Sequence, residues 1–148
     1  MMTLSISLCL AELLWLCSSM VTANETACIV IAMENHYFVL VFFAASSVIA
    51  FHSCLIFGKK ITFRGNASED KTTFLVYSLV SWCFPAVFVL IFALLDHYGI
   101  FATDYGKSDI CWLGTRNSKL FLFIVPFGVL LSFNVFLFII LAQRLYKN

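Results

Sequence analysis

The chain has 148 residues, of which 62% are hydrophobic, 17% aromatic and only 11% charged, with a mean hydropathy of +0.99. A soluble domain of this size cannot hide so much apolar surface, and 17 Phe are the opposite of a disordered composition. With nine basic and eight acidic residues the net charge is +1, so nothing points to nucleic acid. A lipid bilayer is the expected solvent and first partner.

A membrane span takes about 20 residues, so the chain holds roughly four. Met1 to Met20 contains one charge, Glu12, and a polar stretch, Thr22 to Thr26, follows. Cys28 to Phe57 is apolar apart from Glu34, Asn35, His36, His52 and small polar residues. Residues 58–72 are densely charged, 74–95 carry no charge, 96–119 are polar and 120–142 are again uncharged. The pattern predicts an all-α membrane protein with four transmembrane helices near residues 2–21, 27–57, 73–95 and 119–145. Loops at 22–26 and 96–118 lie on one side, with a loop at 58–72 on the other. The second helix would reach about 46 Å, longer than the hydrocarbon core, and so should tilt or project.

Basic residues orient the chain. Four spans put both termini and the 58–72 loop on one side, with Lys59, Lys60, Arg64, Lys71, Arg144 and Lys147; the other side has Lys107, Arg116 and Lys119. The excess favours cytoplasmic termini. A rival reading takes the first segment as a cleaved signal peptide, with VTA before Asn24. The lack of Lys or Arg before the apolar run and the presence of Glu12 within it argue against that.

Cys9, Cys17, Cys54 and Cys83 fall within apolar spans and read as small buried hydrophobes. Cys28 and Cys111 are the two placed on the oxidising side, and a Cys28–Cys111 disulfide is the expectation. It would pin the long outer loop to the top of the second helix. Of two sequons, Asn24-Glu-Thr faces outside and is a candidate glycosylation site close to the membrane, whereas Asn66-Ala-Ser faces the cytoplasm and should be bare.

Several motifs in order resemble one family. CIVIAMENHYFVLVFF follows the short outer loop, YSLVSWCFP opens the third span, CWL lies in the outer loop, and the last span carries Pro126 and Asn134. Together they are similar to helices two to five of family B (secretin/adhesion-type) seven-transmembrane receptors. The Methuselah-like branch fits best, through Tyr77, Ser78, Leu79, Trp82 and Pro85, then Cys111 and Trp112, then Pro126 and Asn134. The resemblance implies a cell-surface receptor in the plasma membrane that takes an extracellular ligand and activates a heterotrimeric G protein.

Read from the residues alone, Pro85 and Pro126 each remove a backbone hydrogen bond and should kink their helices. Trp82 suits interhelical packing. Asn134 is a lone amide at membrane depth that should bond a neighbouring helix. Glu12 is an intramembrane carboxylate and a candidate for a ligand pocket by default. Glu34, Asn35 and His36 form a polar patch about two turns below Cys28, read either as a pocket rim with Glu34 and His36 or as interfacial side chains. His52 reads as interfacial.

The chain also departs from the family. AASSVIAFHS at 44–53 has no carboxylate where family B carries one near the cytoplasmic end of this helix, Cys83 replaces a Gly, and Val125 precedes Pro126 where Gly is common. Only helices two to five find counterparts, and activation in the family relies on the sixth. Three readings follow: part of a receptor's transmembrane domain, a short product that associates with full-length receptors without signalling, or an unrelated four-span organiser. The last fits poorly, because its outer loop should be rich in cysteine. No HExxH, nucleophile elbow, phosphate loop or CxxC occurs, and His36, His52 and His97 lie far apart. No catalytic residue, metal site or cofactor is therefore expected.

Overall fold

The computed structural model describes residues 2–58, 67–107 and 110–147. Lys59, Lys60, Arg64 and Asn66 lie outside the described residues. The described residues form four helical rods: α1 (Met2–Ser18), α2 (Glu25–Gly58), α3 (Ala67–His97), and a last rod made of a single turn, α4 (Arg116–Ser118), a π-helical stretch (Lys119–Ile124) and α5 (Val125–Lys147). Three are long and apolar enough to cross a bilayer, within Glu25–Ile56, Lys71–His97 and Arg116–Tyr146. The apolar part of α1, Ser5–Ser18, is shorter.

Hydropathy finds the rods but not their ends, because a helix can continue into water once begun. α3 reaches back to Ala67, so part of the stretch expected as the 58–72 loop is helical. At the N-terminus of α2, the side-chain oxygen of Asn24 accepts from Ala27 N–H at 3.2 Å, and Glu25 occupies the first turn. Both suit the positive end of a helix. With 34 residues, α2 is about 51 Å long.

α2 is the central rod, and α1, α3 and α5 each pack chiefly against it. The residues buried along it are mostly small: Cys28, Ala32, Ala44, Ala45, Ser47 and Cys54. Small side chains let membrane helices approach closely and gain van der Waals contact, which drives association where water does not. On α1, Ser7, Ala11 and Ser18 are buried.

Most large apolar side chains of α3 and α5 stay exposed, among them Phe84, Leu90, Phe136 and Phe138. Cys9, Cys17 and Cys83 are likewise exposed; of the four free cysteines only Cys54 is buried. The expectation of buried thiols fails for the other three because an apolar residue in a bilayer need not face protein.

Pro85 lies inside α3, which continues through it. Pro126 lies inside the last rod, as the second residue of α5 directly after the π-helical stretch. There its missing N–H falls where the hydrogen-bond register already changes, since Val125 N–H bonds Leu120 C=O, five residues back.

Candidate functional site at the loop end of the bundle

The segment joining α3 to α4 is folded onto the bundle. Tyr105 and Leu113 form an antiparallel bridge, closed by Gly106 N–H to Trp112 C=O and Gly114 N–H to Asp104 C=O, each 2.9 Å. Asp96, at the end of α3, accepts from Thr103 N–H at 3.2 Å and from its hydroxyl at 2.6 Å. The exposed Lys107 ammonium meets Asp104 at 2.7 Å, and this hydrogen bond and charge raise the lysine's pKa.

Cys28 and Cys111 are joined by a disulfide, with their Cα atoms 4.9 Å apart. Cys111 has φ +43° and Gly106 φ +75°, both in the left-handed region. Gly106 is required twice over. A Cβ there would stand 2.8 Å from Ile29 N and 3.0 Å from the Cys28 carbonyl carbon, so the loop backbone lies directly on α2.

The next residue, Trp112, sits edge-on to three rings: Trp15 of α1 at 5.7 Å, His36 of α2 at 6.0 Å and Phe123 of the π-helical stretch at 5.6 Å. Edge-to-face pairs at such distances are favourable beyond the area they bury. Around it, Ala32, Tyr105, Leu113 and Leu122 make a buried cluster, flanked by Met33, Phe92 and Phe101.

His36 is fully buried in this region. Its Nε2 is 2.9 Å from Leu122 C=O, and its Nδ1 is 2.8 Å from the Tyr105 hydroxyl. A carbonyl only accepts, so Nε2 carries the proton and Nδ1 accepts from Tyr105. Burial, with the Asp96 charge second, pushes the Tyr105 pKa up, which keeps this hydroxyl a donor.

The patch at residues 34–36 is therefore divided. Glu34 is exposed, whereas Asn35 and His36 are buried, and Asn35 Nδ2 has no hydrogen-bond partner. Glu12 is exposed on α1 beside the buried Ala11. A cavity of about 310 Å³ opens at the loop end between α2, α3 and the loop, lined by Ile29, Met33, Asp96, His97, Asp104, Tyr105 and Lys107 among others. Glu12, Glu34 and His36 do not line it, so the structure does not gather the three predicted pocket residues into one site. His36 is engaged in holding the fold through both ring nitrogens.

The remaining motif residues serve contacts between rods. Trp82 is half-buried against Tyr37 and Phe38, at 6.4 and 6.5 Å, and the Tyr37 hydroxyl donates to Trp82 C=O at 3.3 Å. Asn134 Nδ2 lies 2.9 Å from Ser47 Oγ and 3.0 Å from Leu130 C=O. His52 meets the Tyr77 hydroxyl at 3.2 Å across α2 and α3. No group of three His, Cys, Asp or Glu side chains able to hold a metal occurs among the described residues.

Sequence reasoning missed Tyr105, Gly106, Asp96 and Thr103. The only local signal was Tyr-Gly within a stretch of turn-forming residues, which marks a turn but not what it rests on.

Comparison with known proteins follows the same path. The whole chain, residues 1–148, matches the model of the 7 transmembrane receptor (Secretin family). Adhesion G protein-coupled receptor L1 of mouse is 34% identical over 145 residues, covering 98% of this chain and 9% of that protein. The human L1 receptor has the same identity and coverage. Adhesion G protein-coupled receptor L4 of mouse is 30% identical over 142 residues, covering 96% of the chain and 18% of that protein. The chain thus spans less than a fifth of the length of these relatives. No solved structure matches it. The match sets aside an unrelated four-span organiser, and the family is one of receptors, not enzymes. With its four helical rods and loop end in place, the chain belongs to the secretin family of seven-transmembrane receptors, as a segment of their multi-pass membrane domain.

Proposed function

We propose that this chain forms the part of a plasma-membrane receptor that faces an extracellular ligand at the loop end and, in the complete seven-helix domain, contributes to activating a heterotrimeric G protein. The observation that carries this reading is the loop end itself. A disulfide, a bridge and a half-buried tryptophan hold the loop as a fixed surface over the helices, beside an open cavity. The excess of basic residues on the opposite side supports cytoplasmic termini and an extracellular loop end, and the disulfide suits the oxidising side. A family match that starts at residue 1 supports residues 1–23 as part of the membrane domain rather than a signal peptide. Within family B, the Tyr77–Pro85, Cys111-Trp112 and Pro126–Asn134 motifs support the Methuselah-like branch, while the relatives matched are adhesion-type receptors.

A chimera tests the signalling role: the matching segment of mouse receptor L1 is replaced by this chain, and nucleotide exchange on heterotrimeric G proteins is measured in membranes. Exchange above that of receptor-free membranes, at matched surface expression, is expected. Normal surface expression with no exchange in any G-protein class refutes it.

A second reading, association with full-length receptors without signalling, draws on the exposed apolar faces of α3 and α5, including Phe84, Leu90, Phe136 and Phe138. Co-purification of the tagged chain with receptor L1 from mild detergent supports it. Recovery of the chain alone sinks it.

A further inference from the structure

Val125 N–H still reaches five residues back to Leu120, so where the rod returns to the α register the donor to the carbonyl of Leu122 is the N–H of residue 126, four residues on. Residue 126 is a proline and has none. The same carbonyl lies 2.9 Å from Nε2 of His36, which reaches across from α2. The other ring nitrogen is held at 2.8 Å by the hydroxyl of Tyr105, in the loop. The residues just before Pro126, Lys119–Ile124, are π-helical.

We propose that His36 replaces the backbone donor that Pro126 lacks, and that through Tyr105 it couples the position of the loop to the register of the π-helical stretch. A π-helical stretch holds one more residue than the α-helical turn it replaces, so it is an element with two discrete arrangements. Moving the extra residue along the rod rotates the residues between its old and new places by about 100° around the rod axis. An unfilled carbonyl is costly in hydrocarbon, and His36 removes that cost only while its ring stands where Tyr105 holds it. Displacing the loop therefore removes the anchor that keeps Leu122 satisfied, and the stretch relaxes to another register. Gly106 and Cys111 follow the anchor on the loop, which transmits the displacement: one rests on the α2 backbone and the other is bonded to Cys28. The inference concerns the fold alone and stands whether or not the receptor reading does.

The test is a double-mutant cycle on the full chain in lipid nanodiscs, using H36F, P126A and the pair. P126A restores a backbone N–H for Leu122. H36F is expected to lower the unfolding midpoint clearly when residue 126 is proline, and by less than half as much in the P126A background. An H36F that folds only when combined with P126A supports the proposal equally. Equal losses in both backgrounds, or failure to fold in both, overturn it. The loop half of the proposal is read separately with Y105F, which removes one hydroxyl and keeps the ring. Amide exchange of residues 119–127 should accelerate, with that of the centre of α2 unchanged. Unchanged exchange at residues 119–127 overturns the coupling.

Discussion

Asn134 of α5 donates its amide to the hydroxyl of Ser47 on α2 at 2.9 Å, while the same nitrogen reaches Leu130 C=O at 3.0 Å. Ser47 in turn donates to Phe43 C=O, one turn back on its own helix. The amide is thus the end of a short polar chain crossing an otherwise apolar seam. Replacing Asn134 by Leu is expected to lower stability by about 1 kcal/mol, the usual scale for such contacts in membranes. Ser47→Ala should lose a similar amount, and the two together little more than either alone. Thermal unfolding of the unaltered protein and the three variants in one detergent checks this; strictly additive losses would show that the two side chains act independently.

Gly106 offers a cleaner comparison than most loop glycines, because Gly99 shares its left-handed backbone, at φ +68°, with nothing within 4 Å of a Cβ. Alanine at 99 incurs the conformational cost alone, about 1–2 kcal/mol. Alanine at 106 adds contact with the backbone of Ile29 and Cys28, which cannot swing aside. G106A should therefore unfold at a clearly lower temperature than G99A and lose protection of the 98–115 segment against protease. Equal behaviour of the two would mean that the loop does not rest on α2.

The disulfide acts as one unit, so Cys28→Ser, Cys111→Ser and the double variant should all show the same gain in proteolytic sensitivity near Lys107. A non-reducing peptide map of the unaltered protein should join the Cys28 and Cys111 peptides and leave Cys9, Cys17, Cys54 and Cys83 alkylated. Recovery of alkylated Cys28 or Cys111 in folded protein contradicts this.

Asn24 carries two roles that substitution separates. Asn24→Asp keeps a capping oxygen for the start of α2 but destroys the sequon, whereas Asn24→Ala loses both. Stability should fall by about 1 kcal/mol only in the alanine variant. A shift in gel mobility common to both variants would reveal a glycan, and its presence would place this turn outside the cell. Glycan on Asn66 instead would reverse the orientation.

Composition and charge spacing were enough to read the rods, because a bilayer demands long apolar runs whatever they pack against. The family pattern was legible for a different reason: Trp82, Pro85, Cys111, Trp112, Pro126 and Asn134 stand at telling separations along the chain. What escaped was anything depending on register or distant pairing. Nearly every position in the last rod is apolar, so periodicity could not reveal one additional residue in a turn at Lys119–Ile124. His36 read as a pocket candidate because its partners, Tyr105 and Leu122, lie 69 and 86 residues away. A polar residue near the mouth of a bundle looks the same in sequence whether it awaits a ligand or is already occupied.

Trp112 touches rings on three rods at once, and this sets an order of assembly. Synthesis delivers α1, α2 and α3 to the membrane before residue 112 leaves the ribosome. Until it arrives, Trp15 and His36 lack a neighbour they require, and Phe123 follows still later. The first helices can thread the bilayer early, but the end of the bundle near the loop closes only when the last rod is in place. A chain interrupted before Trp112 would carry all the hydrophobic length of those helices and still display unfinished packing to the quality-control machinery.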